Sequence, residues 1–135
     1  MRRFQVGMLV LWAVVGCSSS QTGAMRAVNP DARPNNVPPT VLEAHRIAGD
    51  KLIMPDLATK AAIYAAGNPR LIGSFKLCIT AGGAVASVKM LLSTGATAYD
   101  RKIEREIYDW KYRPFTVDGE PTPVCSAVAF VYSQR

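Results

Sequence analysis

Apolar and polar residues alternate through Phe75, Lys76, Leu77, Cys78, Ile79 and Thr80, the period of two that marks a half-buried strand. Ala81-Gly82-Gly83 supplies a turn, and Ala84 to Leu92 returns as a second strand, so the pair reads as a hairpin. Ser93-Thr94-Gly95-Ala96 breaks the alternation, and the period then changes. Tyr99, Ile103, Ile107 and Trp110 fall at i, i+4, i+8 and i+11, one apolar stripe of a helix, while Arg101, Lys102, Glu104, Arg105, Glu106 and Asp109 form its solvated face. Thr97 is the predicted cap, with Asp100 completing a relative of the capping box. Tyr112-Arg113-Pro114 is the predicted stop, because proline disfavours helical geometry in the residue before it. Val124 to Tyr132 alternates again, with Val124, Val128, Phe130 and Tyr132 in one phase and Cys125, Ala127, Ala129 and Val131 in the other.

Upstream, Pro55-Asp56-Leu57 opens a second predicted helix of about three turns, since proline suits a first helical turn and aspartate its positive end. Leu57, Ala61, Tyr64 and Ala65 recur near helical spacing, and Gly67-Asn68-Pro69 stops the run. The folded part thus reads helix, strand, strand, helix, strand. If the hairpin strands run up and down and the helix climbs back, the last strand runs parallel to the second and antiparallel to the first. It fits best beside the first. The expected fold class is α+β, a three-stranded mixed sheet in the order 2-1-3 with two helices on one face. Val41 to Met54 carries no assignable period, although Val41-Leu42 and Leu52-Ile53 have the character of packing residues.

The N-terminus reads as an address. Arg2 and Arg3 precede an apolar stretch from Phe4 to Val15, and small residues follow, the layout of a secretory signal. Val14-Val15-Gly16-Cys17 resembles the bacterial lipobox, so residues 1–16 are expected to be a lipoprotein signal peptide and Cys17 the lipidated first residue of the mature chain. Residues 17–40 then form a disordered, proline-rich tether, with Pro30, Pro34, Pro38 and Pro39 in a stretch without apolar period. The domain is expected over 41–135, its core over 55–133.

Composition narrows the function classes. The chain has 135 residues, 16 Lys plus Arg against 10 Asp plus Glu, one His and three Cys. Removing residues 1–16 takes away two arginines and leaves a net charge of +4. The charges are scattered, which gives no basis for a nucleic-acid partner. A single histidine and the absence of any metal-ligand spacing, phosphate loop, paired carboxylates or nucleophile motif predict a non-enzyme without metal or cofactor. His45 with Asp50 is the one candidate for a base and its orienter.

With Cys17 lipidated, Cys78 and Cys125 remain as an even pair in an export compartment where disulfides persist. The order 2-1-3 makes their strands neighbours and puts both thiols on the face away from the helices, so a bridge between them is expected. The same order leaves one side of the last strand unpaired, a template for another strand.

This order and the residues at its corners resemble the C-terminal domain of the TonB family. The matching features are Gly82-Gly83-Ala84-Val85 at the hairpin, Ser93-Thr94-Gly95 after its second strand, Tyr99-Asp100, Trp110-Lys111-Tyr112-Arg113-Pro114, Gly119-Glu120-Pro121, and a last strand ending in alternating aromatics. The resemblance covers about residues 55–133 and implies a periplasmic domain that captures a protein or peptide by strand addition at a sheet edge, here Val124, Ala127, Ala129 and Val131. Energised TonB proteins also have a transmembrane helix and a long spacer. This chain instead has a lipobox and a spacer of about twenty residues. The expectation is therefore a module anchored to a membrane through its N-terminal lipid, facing the periplasm, with an outer-membrane or periplasmic protein as partner. Ser18 and Ser19 lack the aspartate that retains some lipoproteins in the inner membrane, which favours the outer one. The alternative is an energy-transducing TonB protein for outer-membrane transport that keeps its N-terminus as a signal anchor.

Overall fold

Ten-residue alternation in two segments builds the centre of the sheet in the computed structural model, which describes residues 34–134. In chain order the elements are β1 (Asn35–Asn36), α1 (Pro39–Glu43), β2 (Arg46–Ala48), α2 (Leu57–Ala65), β3 (Arg70–Ile79), β4 (Val85–Leu92), α3 (Thr97–Tyr108), β5 (Lys111–Tyr112), β6 (Thr116–Val117), β7 (Glu120–Pro121) and β8 (Val124–Ser133). The main sheet runs β1-β8-β3-β4. β3 pairs antiparallel with both β4 and β8, in one unbroken register with β8 from Arg70 against Ser133 to Ile79 against Val124. The order β4-β3-β8 is the expected 2-1-3. The expectation of three strands is corrected to four, because β1 adds parallel to β8, with Asn35 against Val124 and Asn36 against Cys125. Two short antiparallel pairs, β2-β5 and β6-β7, complete the strands.

One face of the sheet carries the core. Leu71, Phe75, Leu77 and Ile79 of β3 and Val124, Val128, Phe130 and Tyr132 of β8 pack with Ile63 of α2 and Tyr99, Ile103 and Ile107 of α3. Phe130 sits between two rings, 5.9 Å from Phe75 edge-on and 6.2 Å from Trp110. The opposite phase, with Ile72, Ala127, Ala129 and Val131, is exposed.

Both long helices start differently from expectation. Pro55 stays outside α2, and Asp56 is its N-cap, accepting from the Thr59 amide at 2.7 Å. At α3 the N-cap is Ala96, not Thr97, and no side chain caps it. Asp100 turns back into the corner that precedes the helix. It accepts from the Thr94 amide at 2.9 Å, the Thr94 hydroxyl at 2.7 Å and the Ser93 hydroxyl at 2.5 Å, and it is buried there. Three donors compensate the desolvation of a carboxylate better than one capping bond would.

α3 also ends earlier than its stripe. The Asp109 and Trp110 amides bond to the carbonyls of Glu106 and Ile107, a tightened last turn, so Trp110 keeps the apolar face after the α-helix has stopped. Lys111–Tyr112 then pairs with β2, where a helix end was expected. Residues 34–40, expected as tether, belong to the folded unit through β1 and the start of α1, and 41–54 supply the rest of α1, β2 and a strap. The expected signal peptide, Cys17 and the expected tether up to residue 33 lie outside the described residues.

Candidate functional site

The outer side of β8 is built by alternation. In an antiparallel strand the N–H and C=O of one residue point to the same side, and the next residue points to the other. The Cys125 carbonyl accepts from the Val37 amide at 2.9 Å, so Cys125 points away from β3. Ala127, Ala129 and Val131 share its parity and therefore also present their N–H and C=O outward. Among the described residues no backbone hydrogen bond reaches them from outside.

Why the covering strand stops after two rungs is written in the sequence. Val37 is followed by Pro38 and Pro39, which have no N–H to continue a ladder, and Pro39 starts α1. The Ser126 hydroxyl donates to the Val37 carbonyl at 2.8 Å and fixes the turn away from the edge. From there the chain runs alongside β8 without pairing to it. Arg46 holds this strap at its middle, with its guanidinium 4.8 Å from the Trp110 ring centre, paired with Glu43 and donating to the Gly49 carbonyl. The Tyr99 hydroxyl holds its end, donating to the Ile53 carbonyl at 2.8 Å. A Cβ on Gly49 would lie 2.1 Å from Trp110 Cδ1, so the indole seats only against a glycine.

Two cavities separate strap from strand. The first, about 290 Å³, is walled by Leu42, Trp110, Tyr112 and Val128. The second, about 250 Å³, is walled by Ile53, Tyr99, Phe130 and Tyr132. Lys51 and Ala129 border both, so the cavities follow one another along β8. Burial pushes the Tyr112 phenol up to about 12, with the Arg46 cation pulling the other way, and burial likewise raises Tyr99. The hydrogen bond from Arg46 holds Glu43 below the usual carboxylate range.

The other free edge is blunted. The register of β4 against β3 shifts twice, between Ser74 and Phe75 and between Cys78 and Ile79, which bends the strand. The Tyr108 hydroxyl also occupies the Val88 amide at 3.3 Å.

The residues singled out in the sequence divide clearly. Cys78 and Cys125 form a disulfide across β3 and β8, with Cα atoms 4.0 Å apart, on the face away from the helices. Val124 does not belong to the open edge: its side chain is fully buried in the core and, by the same alternation, its N–H and C=O face β3. Ala127, Ala129 and Val131 are exposed. His45 and Asp50 do not form a pair. The His45 Nδ1 lies 2.9 Å from the Val41 carbonyl and its ring tilts against Phe115, whereas Asp50 accepts from the Leu52 amide at 2.8 Å. Among the described residues no group of three or more potential metal ligands comes together, and no helix is long and apolar enough to cross a membrane. The strap and its anchors carry no periodic signal in the sequence. Leu42 and Ile53 were visible there only as apolar residues, and nothing marked Arg46 as the residue that would lie over Trp110.

No family model matches the chain, and no curated protein matches it. Among solved structures the chain is similar to the solution NMR structure of the Pseudomonas aeruginosa TonB C-terminal domain, with a TM-score of 0.49 and 16% identity over 65% of this chain and 83% of that one.

Proposed function

We propose that the chain is a lipid-anchored binding module of the bacterial cell envelope, of the TonB C-terminal type, which faces the periplasm and captures an extended protein or peptide segment by strand addition along β8. It performs no chemistry of its own. The observation that carries this reading is the run of outward N–H and C=O groups at Ala127, Ala129 and Val131, without a backbone partner among the described residues. An added strand would satisfy them, drawing affinity from main-chain hydrogen bonds and selectivity from alternate side chains. The motifs quoted above for residues 55–133 supply the family type. The lipobox ending at Cys17 supplies the anchor, and the lack of a retaining aspartate at Ser18 and Ser19 favours the outer membrane.

A photo-crosslinker at Ala127 or Ala129 in the intact envelope is expected to capture a partner, and one at Arg101 on the solvated face of α3 is not. Equal capture at all three positions, or none on β8, overturns the edge as the binding site. Mass spectrometry of the mature N-terminus is expected to find diacylated Cys17. An intact Met1 would replace the lipoprotein with the energy-transducing alternative.

A further inference from the structure

The three long strands β3, β4 and β8 contain Arg70, Lys76 and Lys89 and no carboxylate at all. All three cations project from the face opposite the core, because Lys76 alternates with the buried Phe75 and Leu77, Arg70 shares its parity, and Lys89 is its cross-strand partner. Like charges directly opposite one another are unfavourable in a sheet. Among the described residues the one ion pair within 4.0 Å is Arg46 with Glu43, so neither lysine has an anion to relieve that repulsion.

Register fixes where an anion would come from. Lys89, Lys76 and Ala127 form one continuous row across β4, β3 and β8, and the next place in that row is the open position beside β8. Ala127 is the smallest side chain that still keeps the pleat. The four-carbon stem of Lys76 therefore has a clear path across the Ala127 methyl to a side chain on an added strand. One row along, Ser74 and Ala129 carry no charge, and in the row beyond, Ile72 and Val131 are apolar and exposed. On the core side, the residues of an added strand between these rows would point into the two cavities beside Val128 and Phe130, whose inner walls are apolar and which Lys51 borders, with Glu43 also lining the first.

Resting on strand addition as proposed above, we infer that the β8 edge selects a segment of alternating character: an acidic side chain opposite Ala127 on the lysine face, and apolar side chains at the intervening positions that fill the two cavities. The preference is set by charge complementarity with Lys76 and Lys89; Lys51, which borders both cavities, adds to it, and the Glu43 carboxylate in the first is paired with Arg46.

The test uses the full chain purified in detergent and three blocked synthetic hexapeptides in which valine alternates with glutamate, glutamine or lysine. At low ionic strength the glutamate peptide is expected to bind about three- to tenfold tighter than the lysine peptide, as for partly exposed ion pairs. The difference should shrink as salt shortens the screening length to about 8 Å. Lys76→Glu, and separately Lys89→Glu, should each narrow the gap between the two charged peptides, and the double variant should invert their order. If all three peptides bind equally, or the gap survives both substitutions, the charge selection is overturned while strand addition stands. If none binds, strand addition fails and this inference with it. Since Lys76 is half-buried, Lys89→Glu at the exposed end of the row keeps the result decisive if Lys76→Glu does not fold.

Discussion

Gly83 and Tyr112 fasten the hairpin turn to β5: the Tyr112 amide donates to the Gly83 carbonyl at 2.9 Å, and a Cβ on Gly83 would lie 2.0 Å from the Tyr112 carbonyl oxygen. Gly83 has a φ of +90°, so alanine there would be strained as well as blocked by backbone. Gly83→Ala is expected to lower stability by about 2 to 4 kcal/mol in urea unfolding. Gly95 has a similar φ of +87° but nothing within 4 Å of its Cβ position. Gly95→Ala should therefore show the strain alone, about 1 to 2 kcal/mol. Equal losses at the two sites would remove close contact as the reason for Gly83.

The disulfide closes a separation of 47 residues. The chain-entropy model assigns such a loop on the order of 4 kcal/mol, and small domains depend on such staples. The Cys78→Ser, Cys125→Ser double variant is expected to lose most of that amount. Thiol titration of the unfolded, unreduced wild type should find neither Cys78 nor Cys125 free.

Ala129→Pro separates binding from folding. The Ala129 N–H faces away from β3, so proline there removes an outward donor and no ladder bond, the placement edge strands tolerate. The melting temperature is expected to move by a few degrees, whereas capture by a crosslinker at Ala127 should disappear. Retained capture in this variant would mean that the partner does not use the main chain of β8.

Alkaline titration reports on Tyr112. Its phenol is pushed up to about 12 in the folded state, against about 10 when unfolded, so the folded chain holds this proton more tightly. The resulting stability is complete below about pH 10 and is lost as pH rises through the folded value. Tyr112→Phe cannot ionise, and its stability relative to wild type should improve steadily across that interval. A constant difference between the two proteins would contradict the burial of the phenol.

The sheet was legible because its signal is local. Phe75 to Ile79 and Val124 to Tyr132 alternate without interruption, and their order follows from connection rules that need no side-chain detail. The site was legible only in outline. Asn35 and Asn36 pair through backbone alone, so no polar or apolar pattern distinguishes them from a linker, and Val124, in phase with Val128 and Phe130, turns its backbone to β3 and not to the open side. Arg46 acts by lying over an indole 64 positions later in the chain, a contact outside any window of periodicity. Asp100 fits a capping motif by spacing, yet the corner at Ser93 and Thr94 offers it more donors than the helix end does. In each case a tertiary neighbour outweighed the local rule.

β1 is also the point where tension on the chain ahead of Pro34 would enter the fold. The rung that receives it, Asn36 against Cys125, adjoins the Cys78–Cys125 bond. A pull transmitted along the backbone meets the two rungs of β1 and then the Val37 bonds to Cys125 and Ser126, while the disulfide holds β8 to β3 behind them. The weakest joint in the load path is therefore β1 itself, which can peel from the edge while the sheet behind it stays stitched. Under load the chain would lengthen by a short release at Asn35, Asn36 and Val37, and that release would free the outward N–H and C=O of Cys125 for pairing.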